Sequence, residues 1–308
     1  MDSTTRTYVI WSITDGKPGH RQQIRGLIDA LRDELPIEEI EFKALPVMEV
    51  LAHLANRSFP PGNSHPAPDL IIGAGHGTHL NILAAQRAHG GKTVVLMKPS
   101  LPRSLFDLCL TPLHDDVAPS KRVVLTQGAL NTVKHSAKAD PGIGLILLGG
   151  ISRHYEWHDQ EILAEVCKLV ENTPQVRWTL TTSPRTPESL LIGLQRLAYP
   201  NLDIFPFRQT TQGWLHGVMA QAGQVWVTPD SVSMVYEALT SGSGVGVFDL
   251  PQRRSSRVVR GLERLVQSGL VTRFRTWQPG QALPRVSAQI NEAARCAKWI
   301  KQFWYPNA

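Results

Sequence analysis

The chain has 308 residues, 42% of them hydrophobic, with a formal net charge of +6 and a pI near 9.4. Such a composition supports a substantial buried core and, at about 100–200 residues per domain, two domains, which excludes a disordered or fibrous chain. The basic balance favours acidic partners without choosing among phosphates, anionic lipid and nucleic acid.

In chain order, apolar strand-like runs alternate with longer helical patterns through both halves, the signature of βαβ units and mainly parallel sheets. The opening MDSTTRTYVIWSITDGKPGH passes from a short apolar strand straight into polar residues. No signal peptide is expected, no apolar run approaches the ~18 residues of a membrane span, and the expected location is the cytoplasm. After YVIWSIT and the loop DGKPGH come the helical RQQIRGLIDALRDEL, the strand DLIIGAG, a helix through LNILAAQRAH and the strand KTVVLM. RSFPPGNSHPAPD reads as a surface loop, because a strand resumes directly after it. The polar, basic segment from Asn131 to Gly142 separates two strand series and reads as a linker.

The second half restarts with IGLILLGG, then QEILAEVCKLV, VRWTLTT, SLLIGLQRL, LDIFPF, WLHGVMAQAG, VWVT and PDSVSMVYEALTSGSGVGVF, the last reading as a strand end, a helix and another strand. SRVVRGLERLVQSG is amphipathic, with Arg253, Arg257, Arg260 and Arg264 along one side and Val258, Leu262 and Leu265 along the other. SAQINEAARCAKWIKQFW closes the chain with helical periodicity. The expected domains are therefore 1–139 and 140–285, with 286–308 a helix packing back across the junction. Cys109, Cys167 and Cys296 form no C-x-x-C pair and read as small core residues of a reducing compartment.

In a parallel sheet, ligands bind beyond the carboxyl ends of the strands, where helix N-termini present free N–H groups. Three strand-to-helix turns are equipped for this. Asp15-Gly16-Lys17-Pro18-Gly19-His20 has two glycines that let the backbone turn and approach a ligand, and a His at the helix start. Ordinary loop punctuation with an Asp cap accounts for the same residues. Gly73 to Thr78, with Gly75, His76 and Gly77, approximates a dinucleotide fingerprint but lacks the last Gly or Ala at Thr78. Lys98 stands where a ribose-binding acid would be wanted, which disfavours a nicotinamide dehydrogenase; acceptor or phosphate binding and a plain tight turn both remain open.

At the third turn Asp230, Ser233 and Glu237 are spaced three and four apart, on a single helical face. Ser231 and Ser233 can offer hydroxyls beside free N–H groups to a diphosphate, while Glu237 can accept from two ribose hydroxyls, a combination that suits a nucleotide sugar. A plain N-cap at Asp230 or Ser231 with a solvated Glu is the alternative. Gly149, Gly150, Ser152 and Arg153 end the second half's first strand in another phosphate-friendly turn. His154 and His158 are four apart and could share a helix face, but no third ligand is evident and no metal is expected. Basic residues without interleaved aromatics argue against nucleic acid.

The segments TDGKPGH, GAGHGTHL, MKPSLPRSLFDLCLTPLHDD, TQGALN, LLGGISRHYEW, TTSPRTP and TPDSVSMVYEALTSG resemble, over nearly the whole chain, the motifs of the mitochondrial-fission "elongated mitochondria" family. That family includes bacterial proteins assigned as glycosyltransferases of lipooligosaccharide-core assembly. DSVSMVYEALTSGSGVGVF is similar, more distantly, to the donor-binding segment of GT-B glycosyltransferases.

The resemblance implies an α/β, GT-B-like fold: two Rossmann-like doubly wound domains, acceptor side first and donor side second, facing a central cleft. It implies that a Ser-rich turn contacts the phosphates, that Glu237 holds the ribose, and that Gly16, Lys17, Gly19 and His20 face the acceptor. No metal is implied, helix dipoles and basic side chains offsetting the leaving diphosphate. The reaction implied is an inverting transfer from a UDP-linked sugar to a glycolipid or oligosaccharide acceptor, with His20 as first candidate for the base and Asp15 as second. Lys17 and Pro18 depart from the glycine run of better-known transferases. Two alternatives stand beside it: a GT-B-like epimerase or hydrolase, and a non-catalytic scaffold associated with a membrane through its Arg-rich helix; the expected location is cytoplasmic, with peripheral contact at the inner face of the inner membrane.

Overall fold

The computed structural model describes residues 6–115, 117–211, 213–285 and 290–306. In chain order the first half contains β1 (Tyr8–Thr14), α1 (Pro18–Arg32), β2 (Ile37–Lys43), α2 (Val47–Ala55), β3 (Leu70–Ala74), α3 (His79–His89), β4 (Lys92–Leu96), β5 (Leu108–Pro112) and β6 (Val123–Thr126). The second contains β7 (Asp140–Leu147), α4 (Asp159–Glu171), β8 (Arg177–Thr181), α5 (Glu188–Gln195), β9 (Leu202–Phe205), α6 (Trp214–Gln221), β10 (Ala222–Val227), α7 (Val232–Ser241), β11 (Gly244–Val247), α8 (Arg257–Gln267) and β12 (Val271–Arg273). Helix α9 (Glu292–Trp304) ends the described chain. Two compact units result: residues through Thr132 together with those from Glu292 on, and Val133–Asn291.

Each unit is built on one six-stranded sheet, and every strand pairing is parallel. The order in the first is β2-β1-β3-β4-β5-β6 and in the second β12-β11-β10-β7-β8-β9. Read from its own first strand, the second is the 3-2-1-4-5-6 order of a dinucleotide-binding sheet, with its switch point between β7 and β10; the first reverses between β1 and β3. Parallel sheets covered on both faces need continuous apolar strands, and β3, β4 and β5 are buried almost throughout.

Amphipathic helices close these sheets. On α1, Ile24, Leu27, Ile28 and Leu31 recur at helical spacing, all are buried, and they share a core cluster with Leu70 and Ile72 of β3 and with Ala293, Cys296, Ala297 and Ile300 of α9. Burying each of these four α1 side chains contributes roughly 1.5–3 kcal/mol. In the second unit Trp178 lies over Gly144 and Trp226 over Gly246, where any Cβ would strike the indole ring.

Strands β2, β5, β6 and β12 and helix α2 were not among the expected elements. Strand β2, IEEIEFK, buries only Phe42 fully, because an edge strand keeps its glutamates in solvent. The segment before α4 also differs from expectation. His154 lies in a non-helical loop and His158 is the N-cap of α4, so the two do not share a helix face. Likewise Arg253 precedes α8 and does not belong to that helix's basic side. Among the described residues no helix is long and apolar enough to cross a membrane.

Candidate functional site

In the first unit the loops after β1 and β3 meet at the switch point. The chain leaves β1 through Gly16, whose φ of +82° is open to glycine at little cost, and Pro18 presets the first turn of α1. That turn carries His20 back over Asp15, its Nδ1 lying 3.0 Å from both carboxylate oxygens. From the neighbouring strand comes Gly75, with φ +84° and its Cα against the His20 ring, so that a Cβ there would collide with the imidazole. Gly77 faces Asp15, leaving a prospective Cβ 3.3 Å from the Asp15 Cβ. Around Gly19, by contrast, there is open space.

The electrostatics of the pair are directional. Burial pushes the Asp15 carboxyl up, but hydrogen bonds from His20 and the Lys17 N–H, with their charges, outweigh it and hold the group below its ordinary value. An ionised Asp15 only accepts, so His20 donates from Nδ1, and among the described residues Nε2 has no partner. Lys17 Nζ stands 3.4 Å from Asp15, and His76 is exposed beside the same loops.

His79 was not singled out from the sequence. It is buried at the start of α3, its Nδ1 is 3.1 Å from Ser100 Oγ, and burial first and His76 second lower its pKa to about 4. The only trace of it in the sequence is the second His of GAGHGTHL.

In the second unit the loops after β7, β8 and β10 converge on Asp230. Helix α7 starts at Val232, so Asp230 is not on its polar face as its spacing suggested. Its carboxylate turns to the β7 loop, where it accepts from Gly150 N–H at 3.0 Å and from Arg185 Nη2 at 2.8 Å. Gly149 N–H donates to Thr228 Oγ1 at 2.7 Å. Both N–H groups of the expected phosphate turn are therefore engaged within the protein. The Asp230 side chain is 0% exposed and its Oδ1 has no partner. Burial raises its pKa against the opposing hydrogen bonds of Thr228, Gly150 and Arg185.

Arg185, from TTSPRTP, also escaped the residue-level reading. Its Nη1 reaches the carbonyls of Gly150 at 3.3 Å and Ile151 at 3.1 Å, so one guanidinium ties three loops together. Ser152 Oγ accepts from the N–H groups of His154 and Tyr155, and Arg153 is exposed. Ser231 is the N-cap of α7 without a side-chain cap bond, and Ser233 is exposed in the first turn. Glu237, four residues beyond Ser233, has no hydrogen-bonding or charged partner among the described residues. Desolvation alone pushes its carboxyl up to about 7. Unpartnered, perturbed carboxyls of this kind concentrate at functional sites. No group of three or more His, Cys, Asp or Glu able to hold a metal occurs among the described residues.

A family model described as mitochondrial fission ELM1 matches residues 18–304. The uncharacterised protein RP120 of Rickettsia prowazekii is 22% identical, the match covering 95% of this chain and 97% of that protein. Among solved structures, the UDP-GlcNAc 2-epimerase from Neisseria meningitidis bound to UDP-GlcNAc is 12% identical, with a TM-score of 0.51 over 98% of this chain and 92% of that one. The glycotransferase of kitacinnamycin is 15% identical, with a TM-score of 0.51 over 97% and 99%. Identities this low establish the architecture, and the architecture is GT-B.

Proposed function

The chain belongs to the mitochondrial fission ELM1 family, and from that premise and its GT-B fold we propose that it is a glycosyltransferase taking its sugar from a nucleotide-linked donor. The observation that carries the proposal is the Asp15–His20 pair at the carboxyl end of β1. Asp15 fixes the Nδ1–H tautomer and stabilises the imidazolium; the free Nε2 takes the proton from an acceptor hydroxyl as that oxygen attacks the anomeric carbon. Such a base contributes about 10²–10⁴-fold in rate.

Val133–Asn291 is the donor unit in this reading. Glu237 accepts from the ribose hydroxyls, and the uncapped α7 N-terminus beside Ser231 and Ser233 faces the phosphates, offsetting the leaving group's charge without a metal. The ligand of the Neisseria meningitidis structure makes UDP-GlcNAc the first donor to test. The acceptor is a glycolipid or oligosaccharide. Exposed Arg257, Arg260 and Arg264 on α8, opposite the buried Val259, Leu262 and Leu265, supply a face for peripheral contact with an anionic membrane.

The test is a thermal-shift titration of wild type and Glu237→Ala with nucleoside diphosphates and their sugars, followed by nucleotide-release assays of wild type and His20→Ala. Saturation at one hundred times Kd adds roughly 2.7 kcal/mol of stability. Stabilisation of the wild type that Glu237→Ala loses, with release that needs both acceptor and His20, supports transfer. Epimerised or hydrolysed donor in the absence of acceptor moves the chain to the epimerase or hydrolase reading, and no nucleotide binding at millimolar concentration moves it to the scaffold.

A further inference from the structure

The first unit has a polar cavity where its fold calls for apolar packing. On the sheet face beneath α1, β1 presents Tyr8, Ile10, Ser12 and Thr14 and β2 presents Ile37, Glu39 and Glu41, with Ser12 level with Glu41. Tyr8, Ile10 and Ile37 join the α1 core cluster; further along, Ser12, Thr14, Glu39 and Glu41 line a cavity instead. Arg21, Arg25 and Arg32 of α1 line its other side. Ser12 and Thr14 are only 1% and 3% exposed, so polar groups stand at the buried wall as well as at the mouth. The space is about 340 Å³. That lies at the lower end of the roughly 300–1,000 Å³ of ligand sites, room for a single sugar unit.

The groups around this cavity are held in place, and one charge is left over. Glu39 accepts from Ser12 Oγ at 3.0 Å and from Arg32 Nη2 at 2.6 Å. Arg21 Nη2 stands 3.2 Å from Glu41. Arg25, one helical turn beyond Arg21 on the same side, has no hydrogen-bonding or charged partner among the described residues. Three arginines therefore line the cavity with two glutamates, and an anion beside Arg25 evens the charge. The remaining capacity suits hydroxyls. Thr14 Oγ1 accepts from Gly16 N–H at 3.1 Å, which leaves its own hydrogen to donate. Glu41 meets only Arg21 among the described residues, which leaves a carboxylate oxygen to accept. Thr14 and Arg21 also tie the cavity to the Asp15–His20 loop, Thr14 through Gly16 and Arg21 as the residue that follows His20.

We infer that this cavity binds an anionic sugar unit, Arg25 pairing with its carboxylate or phosphate while Thr14 and Glu41 bond its hydroxyls. That the unit belongs to the acceptor rests on the transferase reading above.

The experiment is calorimetric titration of full-length wild type, Arg25→Gln, Arg25→Lys and Glu41→Gln with glucuronate, glucose 6-phosphate, glucose, inorganic phosphate and UDP. Arg25 is exposed and the Arg21–Glu41 pair lies at the surface, so nearly unchanged melting temperatures are expected and establish that the variants fold. Losing a charge-assisted contact weakens binding about tenfold or more. Affinity for the anionic sugars should fall about tenfold in Arg25→Gln and several-fold in Glu41→Gln. Arg25→Lys should recover part of it, since an ammonium keeps the charge without the fork. Glucose and inorganic phosphate should each bind more weakly than the anionic sugars, and UDP should bind every variant as it binds the wild type. The tighter of glucuronate and glucose 6-phosphate identifies the anion as carboxylate or phosphate. Anionic sugars that bind wild type and Arg25→Gln alike, or bind neither at millimolar concentration, overturn the inference; UDP binding in the same experiment leaves the nucleotide reading standing. Glucose binding as tightly as the anionic sugars overturns it too, as does inorganic phosphate binding as tightly as glucose 6-phosphate and indifferently to Glu41→Gln, the mark of a bare anion site. Anionic-sugar binding that needs Arg25, in a protein with no affinity for UDP, supports the inference and removes the assignment to an acceptor.

Discussion

Arg185→Ala removes the only charged partner, among the described residues, of a carboxylate that has no access to water. In the wild type Arg185 Nη2 lies 2.8 Å from Asp230 Oδ2, the Asp230 side chain is 0% exposed, and its remaining contacts are the neutral donors of Thr228 and Gly150. Breaking a buried pair from one side costs about 3–5 kcal/mol, and losing one charge-assisted hydrogen bond about 1.5–3. Because the Arg185 side chain is itself 43% exposed, water compensates part of the loss, and roughly 2–3 kcal/mol is expected. At about 2–4 °C per kcal/mol for a unit of this size, the melting temperature should fall by roughly 4–12 °C. The deficit should also depend on pH. The folded-state pKa of Asp230 is raised by burial and rises further without Arg185, so the ionisation penalty grows as pH climbs through the folded value and fades as pH falls below it. Scanning calorimetry of Arg185→Ala, Asp230→Asn and the double variant at mildly acidic and mildly alkaline pH reads this directly. A deficit that is equal at both pH values, or a double variant as unstable as Arg185→Ala plus Asp230→Asn added, would refute the buried-pair reasoning.

Asp15→Asn leaves the His20 ring in place but no longer enforces the Nδ1–H tautomer, and turnover should drop by about 10²–10⁴-fold with donor affinity unchanged, measured by initial rates and calorimetry. Gly75→Ala combines a φ of +84° with a clash against His20; turnover should fall comparably, and stability by about 1–3 kcal/mol in a denaturant titration. Glu237→Gln removes a carboxyl whose folded pKa is raised from 4.5 to about 7. The wild type loses stability as pH rises from the unfolded to the folded value, so the variant should be the more stable by about 1–3 kcal/mol at alkaline pH and indistinguishable below pH ~4, by thermal melts across pH. The same variant should bind nucleoside diphosphates more weakly, by titration, since it has lost an acceptor for the ribose.

Periodicity reports which segments bury a face, and that much of the fold is written locally. The runs YVIWSIT, DLIIGAG and IGLILLGG, each followed by a glycine-bearing loop and an amphipathic helix, state parallel α/β architecture and put candidate residues at strand carboxyl ends. The Asp15–His20 pair belongs to this class, because five residues and one helical turn suffice to bring the groups together. The edge strand β2 escaped, since water on one side relaxes the demand for apolar residues, while β12 is only three residues long and buries Arg273 against Asp249 and Glu263, which leaves no apolar pattern to read.

Strand order is a different kind of information. Gly75 meets His20 only because β3 pairs with β1, and Arg185 reaches Asp230 only because β8 and β10 both flank β7. Asp230 shows the consequence most plainly. Its spacing from Ser233 and Glu237 describes one helical face, yet a guanidinium contact and an N–H from two other loops outweigh a place on α7. Spacing along the chain determines what a residue can offer; which groups it finds across the sheet, and therefore whether it is spent on the fold or left free for a ligand, is settled by long-range pairing that no local pattern encodes.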